Sequence, residues 1–122
     1  MTSALILFAH GARDPQWAEP FEAIRDRIRT RRPELPVTLA FLEIMSPSLE
    51  EAIDALVAQG ASAITVFPVF MAQGGHLKQD VPRLLETVRA KRPGLPISLE
   101  TAIGDVPELR DAIAEWILQR SA

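Results

Sequence analysis

Ala4-Leu-Ile-Leu-Phe-Ala9, followed at once by His10-Gly11 and then by Asp14-Pro15, is the stretch that decides the fold. An unbroken apolar run of this length suits a strand buried on both faces, as in a parallel sheet. The glycine lets the backbone turn sharply. An aspartate before a proline is a good N-cap and first-turn pair for a helix. Strand, sharp turn and helix opening in so short a span make up the start of a βα unit.

The same alternation continues down the chain. With 4–9 as the first strand, apolar runs near 37–43, 63–69 and 97–102 read as three more. After Asp14-Pro15, Trp17, Phe21, Ile24 and Ile28 recur at helical spacing until Arg32-Pro33 stops the run. Ser46-Pro47 repeats the opening, with Leu49, Ala52, Ile53 and Leu56 on one apolar face and Gly60 placed to close the helix. A third helix is expected to begin near Asp80 and bury Val81, Leu84, Leu85 and Val88. A fourth, opening at Asp105-Val106-Pro107, is expected to bury Leu109, Ile113, Trp116 and Ile117. The order βαβαβαβα predicts an α/β fold: a single three-layer domain over residues 1–122, with a four-stranded parallel sheet, helices on both faces and right-handed crossovers. Pro68 fits only where its strand is already leaving the sheet.

An internal repeat supports this order. Arg32-Pro33-Glu34-Leu35-Pro36 returns as Arg92-Pro93-Gly94-Leu95-Pro96, an offset of 60 residues. The same offset carries Leu39, Pro47, Leu49, Ala52 and Ile53 onto Leu99, Pro107, Leu109, Ala112 and Ile113. Two such units describe a pseudo-symmetric domain of two βαβα halves, since solenoid arrays need at least about three. The two histidines are 66 residues apart and break the offset. His76 therefore belongs to a loop elaboration of the second half.

Composition narrows the function. A chain of 122 residues is long enough to bury a core without a disulfide or structural metal. It has no cysteine, which excludes thiolate metal sites and cysteine nucleophiles within it. Its 13 basic and 16 acidic residues leave a net charge of −3, so no nucleic-acid footprint is expected. No apolar run is long enough for a membrane span, and the amino terminus has no signal-peptide pattern, so a soluble cytoplasmic protein is expected.

The chemistry rests on few residues. His10 directly follows one strand run, Glu43 ends another, and His76 follows a third after the loop Phe70-Met-Ala-Gln-Gly-Gly75. In an open α/β sheet the carboxyl ends of parallel strands share an edge, so these three are expected in one crevice as a metal-handling site. Alone, each has a plainer reading: a hydrogen-bonded structural histidine, a solvated glutamate, a flexible Gly74-Gly75 turn. Arg13 and Lys78 lie within three residues of a histidine and are expected to face the same crevice and meet anionic groups. Arg25, Arg27, Arg29, Arg31 and Arg32 read as a solvated face with helix-dipole support. Trp17 and Trp116 read as core.

Taken together, Phe8-Ala9-His10-Gly11-Ala12-Arg13-Asp14, Phe41-Leu42-Glu43 with Pro47-Ser48-Leu49, and Pro68-Val69-Phe70-Met71-Ala72-Gln73-Gly74-Gly75-His76 with Asp80-Val81-Pro82 resemble the short form of the sirohydrochlorin chelatases, which are class II chelatases. The resemblance covers nearly the whole chain. Ala12 stands where serine is more usual. The resemblance implies a chelatase-like, flavodoxin-like fold and the ATP-independent insertion of cobalt, iron or nickel into sirohydrochlorin, in cobalamin or sirohaem synthesis. The metal is then a substrate and no permanent cofactor is expected. It also implies a homodimer, because longer relatives carry two such modules in one chain.

On that reading His10 is metal ligand and proton acceptor, His76 the second metal ligand, and Glu43 the carboxylate that assists proton removal or orients the substrate. Met71, Ala72, Gln73, Gly74, Gly75 and His76 line the macrocycle, while Arg13 and Lys78 pair with its carboxylates. Neutral imidazole suits ions of intermediate softness and can accept a proton near neutrality. Two other classes fit the residues less well: a non-catalytic metal- or tetrapyrrole-binding module, and a phosphotransfer enzyme with a histidine nucleophile, which would want several arginines converging on phosphate.

Overall fold

The computed structural model describes residues 2–121. Strands Thr2–Ala9 (β1), Val37–Phe41 (β2), Ala61–Pro68 (β3) and Ile97–Leu99 (β4) form one sheet in the order β2-β1-β3-β4, with every pairing parallel. Four α-helices alternate with them: Glu19–Arg31 (α1), Leu49–Ala58 (α2), Gly75–Lys91 (α3) and Pro107–Gln119 (α4). The expected α/β order and the four strands are borne out. Pro68 is the last residue of β3, where the strand leaves the sheet.

Period-two alternation in β1 sends its side chains into two cores. Ala4, Ile6 and Phe8 join Ile64 and Val66 of β3 beneath α2 and α3, where Ile53 and Leu85 are buried. Leu7 and Ala9 join Val37, Leu39 and Phe41 of β2 beneath α1, against Phe21 and Ile28 and the half-buried Trp17. Fully burying side chains such as Phe8, Ile6, Ile53 and Ile64 stabilises the fold by about 1.5–3 kcal/mol each. Ile24, expected on the buried face of α1, is 43% exposed and lies outside that stripe.

The repeat is built into the backbone. After α1 and after α3 the chain makes the same turn, with Leu35 N–H donating to the Arg32 carbonyl and Leu95 N–H to that of Arg92, each at 3.0 Å. Arg29 and Arg89 then donate from their guanidinium groups to the carbonyls of Val37 and Ile97, each at 2.8 Å. Arg29 therefore does more than line a solvated face: it ties the end of α1 to β2.

Helix openings differ from expectation at three places. Asp14 caps a short 3-10 helix, Pro15–Ala18, accepting from Gln16 N–H at 2.9 Å, and α1 starts only after it. Ser48, not Ser46, caps α2, because Ser48 and Glu51 form a reciprocal capping box that leaves Ser46-Pro47 as a cis peptide in the loop before it. Helix α3 begins at Gly75 rather than near Asp80 and runs through Pro82, which sits exposed in its interior. His76 is thus in the first turn of a helix and not in a loop.

The fourth helix departs most. Leu109, Ile113, Trp116 and Ile117, expected in the core, are all exposed, Trp116 at 57%. Trp116 is therefore not a core residue. The main contacts of α4 are with the short 3-10 helix Ile103–Asp105 that precedes it. Periodicity correctly gives a helix with one apolar face, but this domain provides nothing for that face to cover.

Candidate active site

The strand order places a topological switch point between β1 and β3, whose following helices α1 and α3 pack on opposite faces of the sheet. A crevice at the carboxyl ends of the strands is expected there. His10 follows β1 on one side of it, and Phe70–Gly74 follow β3 on the other.

Glu43 is carried to His10 by pairing that continues past the strand ends. Ala9 is in register with Phe41, Leu42 N–H donates to the Ala9 carbonyl at 2.9 Å, and Glu43 N–H donates to the His10 carbonyl at 3.1 Å. The side chains meet as well, with His10 Nε2 2.7 Å from Glu43 Oε1. Their side chains are 45% and 56% exposed, so the pair stands open to solvent.

Two backbone features hold this arrangement. Gly11 has φ +104°, and a Cβ there would run into the Glu43 carbonyl oxygen, so only glycine fits. Beyond Glu43, Met45 N–H donates back to the Glu43 carbonyl at 2.7 Å around Ile44, whose φ is +72°. This is a γ-turn of the strained, positive-φ kind, and a β-branched residue is a rare occupant of that region. The turn holds Ile44 65% exposed beside Glu43.

The chemistry follows from the hydrogen bond. An ionised carboxylate only accepts, so Nε2 carries the proton and donates, and the lone pair of a neutral His10 is on Nδ1. Metal-binding histidines are oriented in this way, with one ring nitrogen donating to a carboxylate and the other free for an ion or a proton.

The other expected site residues are placed less closely. His76 does not join the pair: it is exposed in the first turn of α3, and no three His, Asp or Glu side chains among the described residues form a set that could hold a metal ion. Lys78 and Gln73 line a small cleft with Pro68, Leu99, Glu100 and Asp105 on the β4 side of α3, where acidic groups are the neighbours. Arg13 is exposed and has no ion pair among the described residues. Met71 is 60% exposed, and Ala72, Gly74 and Gly75 are exposed beside it.

Sequence reasoning missed two residues. Gly104 packs so tightly on the backbone of Met71 that a Cβ there would strike the Met71 carbonyl, and its N–H donates to the Phe70 carbonyl at 3.0 Å. It fixes the root of the Met71–Gly74 loop, and a lone glycine between Ile103 and Asp105 was the only signal. Ile44 was the second, and a β-branched residue gives no hint of a positive φ.

The comparisons with known proteins bear on this geometry. The CbiX family model matches residues 4–120. The chain belongs to the CbiX family. A sirohydrochlorin cobaltochelatase of Saccharolobus islandicus is 38% identical over 118 residues, covering 95% of this chain and 91% of the relative. That of Methanothermobacter thermautotrophicus is 40% identical over 81 residues, covering 66% of this chain and 56% of the relative. The chain thus spans little more than half the length of that relative. Among solved structures, the CbiX protein of Marinobacter aquaeolei superposes with a TM-score of 0.83 at 34% identity, covering 98% of this chain and 99% of that one. The sirohydrochlorin chelatase SirB of Bacillus subtilis subspecies spizizenii, in complex with cobalt, superposes at 0.80 with 25% identity and covers 98% of this chain but 51% of its own.

Proposed function

We propose that this chain inserts a divalent metal ion, cobalt, iron or nickel, into sirohydrochlorin in the cytoplasm, without ATP and with the metal as substrate. The observation that carries this reading is the 2.7 Å contact of His10 Nε2 with Glu43 Oε1 at the switch point, which leaves Nδ1 free. Membership of the CbiX family and the cobalt-bound SirB neighbour supply the substrate class.

The reaction exchanges two pyrrole protons for one divalent ion. His10 Nδ1 serves in turn: its lone pair holds the incoming ion, and once the ion passes to the pyrrole nitrogens the same lone pair accepts a proton. Glu43 steadies the imidazolium that results and relays protons toward solvent. Met71–Gly75 form the opposite lip for the macrocycle, and Ile44 and Met71 offer it exposed apolar surface. His76 supplies a second imidazole when the Met71–Gly75 segment draws in over the substrate. Arg13 meets a substrate carboxylate. Lys78 does so only by turning out of its acidic cleft. The domain spans residues 1–122 and works as a homodimer, because a crevice this open leaves a macrocycle largely uncovered.

The test is an absorbance assay of sirohydrochlorin with cobalt(II), iron(II) and nickel(II) supplied in turn. Appearance of the metallated spectrum at a rate proportional to protein supports the reading. Tetrapyrrole binding without metallation identifies a binding module instead.

A further inference from the structure

The 60-residue repeat carries His10 onto Phe70 and Gly11 onto Met71. The junction that holds His10 recurs there. Gly104 N–H donates to the Phe70 carbonyl at 3.0 Å, as Glu43 N–H donates to that of His10 at 3.1 Å. Each junction is closed by a glycine with no room for a side chain: Gly11 against the carbonyl of Glu43, and Gly104 against the carbonyl of Met71. The first sets a histidine beside a carboxylate, and the second sets the start of a loop.

That loop has little else to place it. Phe70 is buried, its ring 6.0 Å from that of Phe8, and Val69 N–H donates to the Phe8 carbonyl at 2.8 Å. The backbone of Met71, Ala72 and Gln73 then bonds to no other backbone group among the described residues, and pairing resumes only at Gly74, whose carbonyl accepts from Lys78 N–H at 3.2 Å. The position of Met71 is therefore decided at the root, by Phe70 and Gly104. Gly104 is in turn held from its other side. Arg110, in the first turn of α4, donates from Nε to the Gly104 carbonyl at 2.7 Å and from Nη2 to Asp105 Oδ1 at 3.2 Å. A guanidinium is a rigid planar fork, so the bond to Asp105 aims Nε at the carbonyl. Arg29 and Arg89 grip strand carbonyls by the same device, but at the amino ends of β2 and β4. Arg110 does so at the carboxyl edge, beside the loop.

The side chains of Arg110 and Asp105 are 60% and 52% exposed, and an ion pair that open contributes little by itself. The bond to the carbonyl of Gly104, a buried residue, is the one with a consequence. We infer that Arg110 is a positioning residue for the tetrapyrrole, acting through Gly104 to fix the Met71–Gly74 loop against which the macrocycle rests. This rests on the reading above in which that loop forms one lip of the site. His10 and Glu43 follow β1 and β2, away from this junction. Removing Arg110 therefore alters how the macrocycle is held and leaves metal handling and proton transfer in place.

Steady-state kinetics of metallation test this. Arg110→Ala should raise KM for sirohydrochlorin about three- to tenfold, the scale of one exposed hydrogen bond, with kcat and KM for cobalt(II) nearly unchanged. Arg110→Lys keeps a donor for the Gly104 carbonyl and should recover most of the loss. Asp105→Asn leaves that bond in place and should not raise KM. A readout that needs no substrate runs in parallel: in Arg110→Ala the Gly104 amide, bonded to the Phe70 carbonyl, should exchange its hydrogen faster while the amides of β1 keep their protection. An unchanged KM in Arg110→Ala overturns the role, as does an equal rise in Asp105→Asn or a variant that sediments at a different mass from wild type; each leaves the proposed function standing. Wild-type protein that neither binds nor metallates sirohydrochlorin removes that function, and this role with it.

Discussion

His10 and Glu43, 33 residues apart in the chain, are joined twice, through the backbone at 3.1 Å and through their side chains at 2.7 Å. Neither side chain is part of a core, so chemistry and stability separate here. His10→Ala should abolish metallation while the melting temperature stays within about a degree of wild type. Glu43→Gln keeps the shape and loses the charge that steadies an imidazolium. It should slow turnover by about 10–100-fold, the usual effect of removing a ligand's orienting carboxylate. Unfolding of His10→Ala, seen by circular dichroism, would show the histidine to be structural.

Gly11 and Gly60 offer a matched comparison, with φ of +104° and +100°. A Cβ at Gly60 meets open space, whereas at Gly11 it strikes the Glu43 carbonyl. Gly60→Ala should therefore cost only the left-handed penalty, about 1–2 kcal/mol, with turnover intact. Gly11→Ala should cost clearly more and lose activity too, because relieving the clash pulls Glu43 from His10. Equal melting temperatures for the two variants would contradict this.

Ile44 is strained and exposed at once. Glycine there removes the left-handed penalty of about 1–2 kcal/mol and adds a backbone-entropy cost of about 0.5–1 kcal/mol. Ile44→Gly should thus leave the protein as stable as wild type or slightly more so. If the side chain meets the macrocycle, KM for the tetrapyrrole should rise several-fold with kcat nearly kept. A variant that loses stability and keeps KM would place the role of Ile44 in folding.

How far the sequence reached depended on whether the relevant partner was local. The run Ala4–Ala9 with His10-Gly11 was enough for β1 and its turn, because burial on both faces leaves a continuous apolar pattern. The repeated Arg-Pro motif was enough for both turns into β2 and β4. By contrast, the apolar stripe of α4 shows that a face is to be covered but not by which chain. Gly74-Gly75 reads as a turn, yet Gly74 is the extended N-cap residue of α3, which lifts His76 onto a helix. That His10 and Glu43 share an edge was legible from strand ends. Their direct contact was not, since it depends on pairing beyond β1 and β2 and on a positive φ at Ile44.

His76 gives the sharpest test of how the metal is handled. It stands exposed in the first turn of α3, with no hydrogen bond or ion pair from its side chain among the described residues. Its removal therefore costs the fold little, and His76→Ala should melt as wild type does. If it helps to hold the ion, KM for cobalt(II) should rise about tenfold or more, and excess cobalt(II) should restore most of the rate, since His10 and Glu43 still accept the protons. His10→Ala should not be rescued in this way. A His76→Ala enzyme with unchanged KM for cobalt(II) would leave His10 as the sole imidazole acting on the metal. A loss that no metal concentration restores would instead assign His76 to the tetrapyrrole.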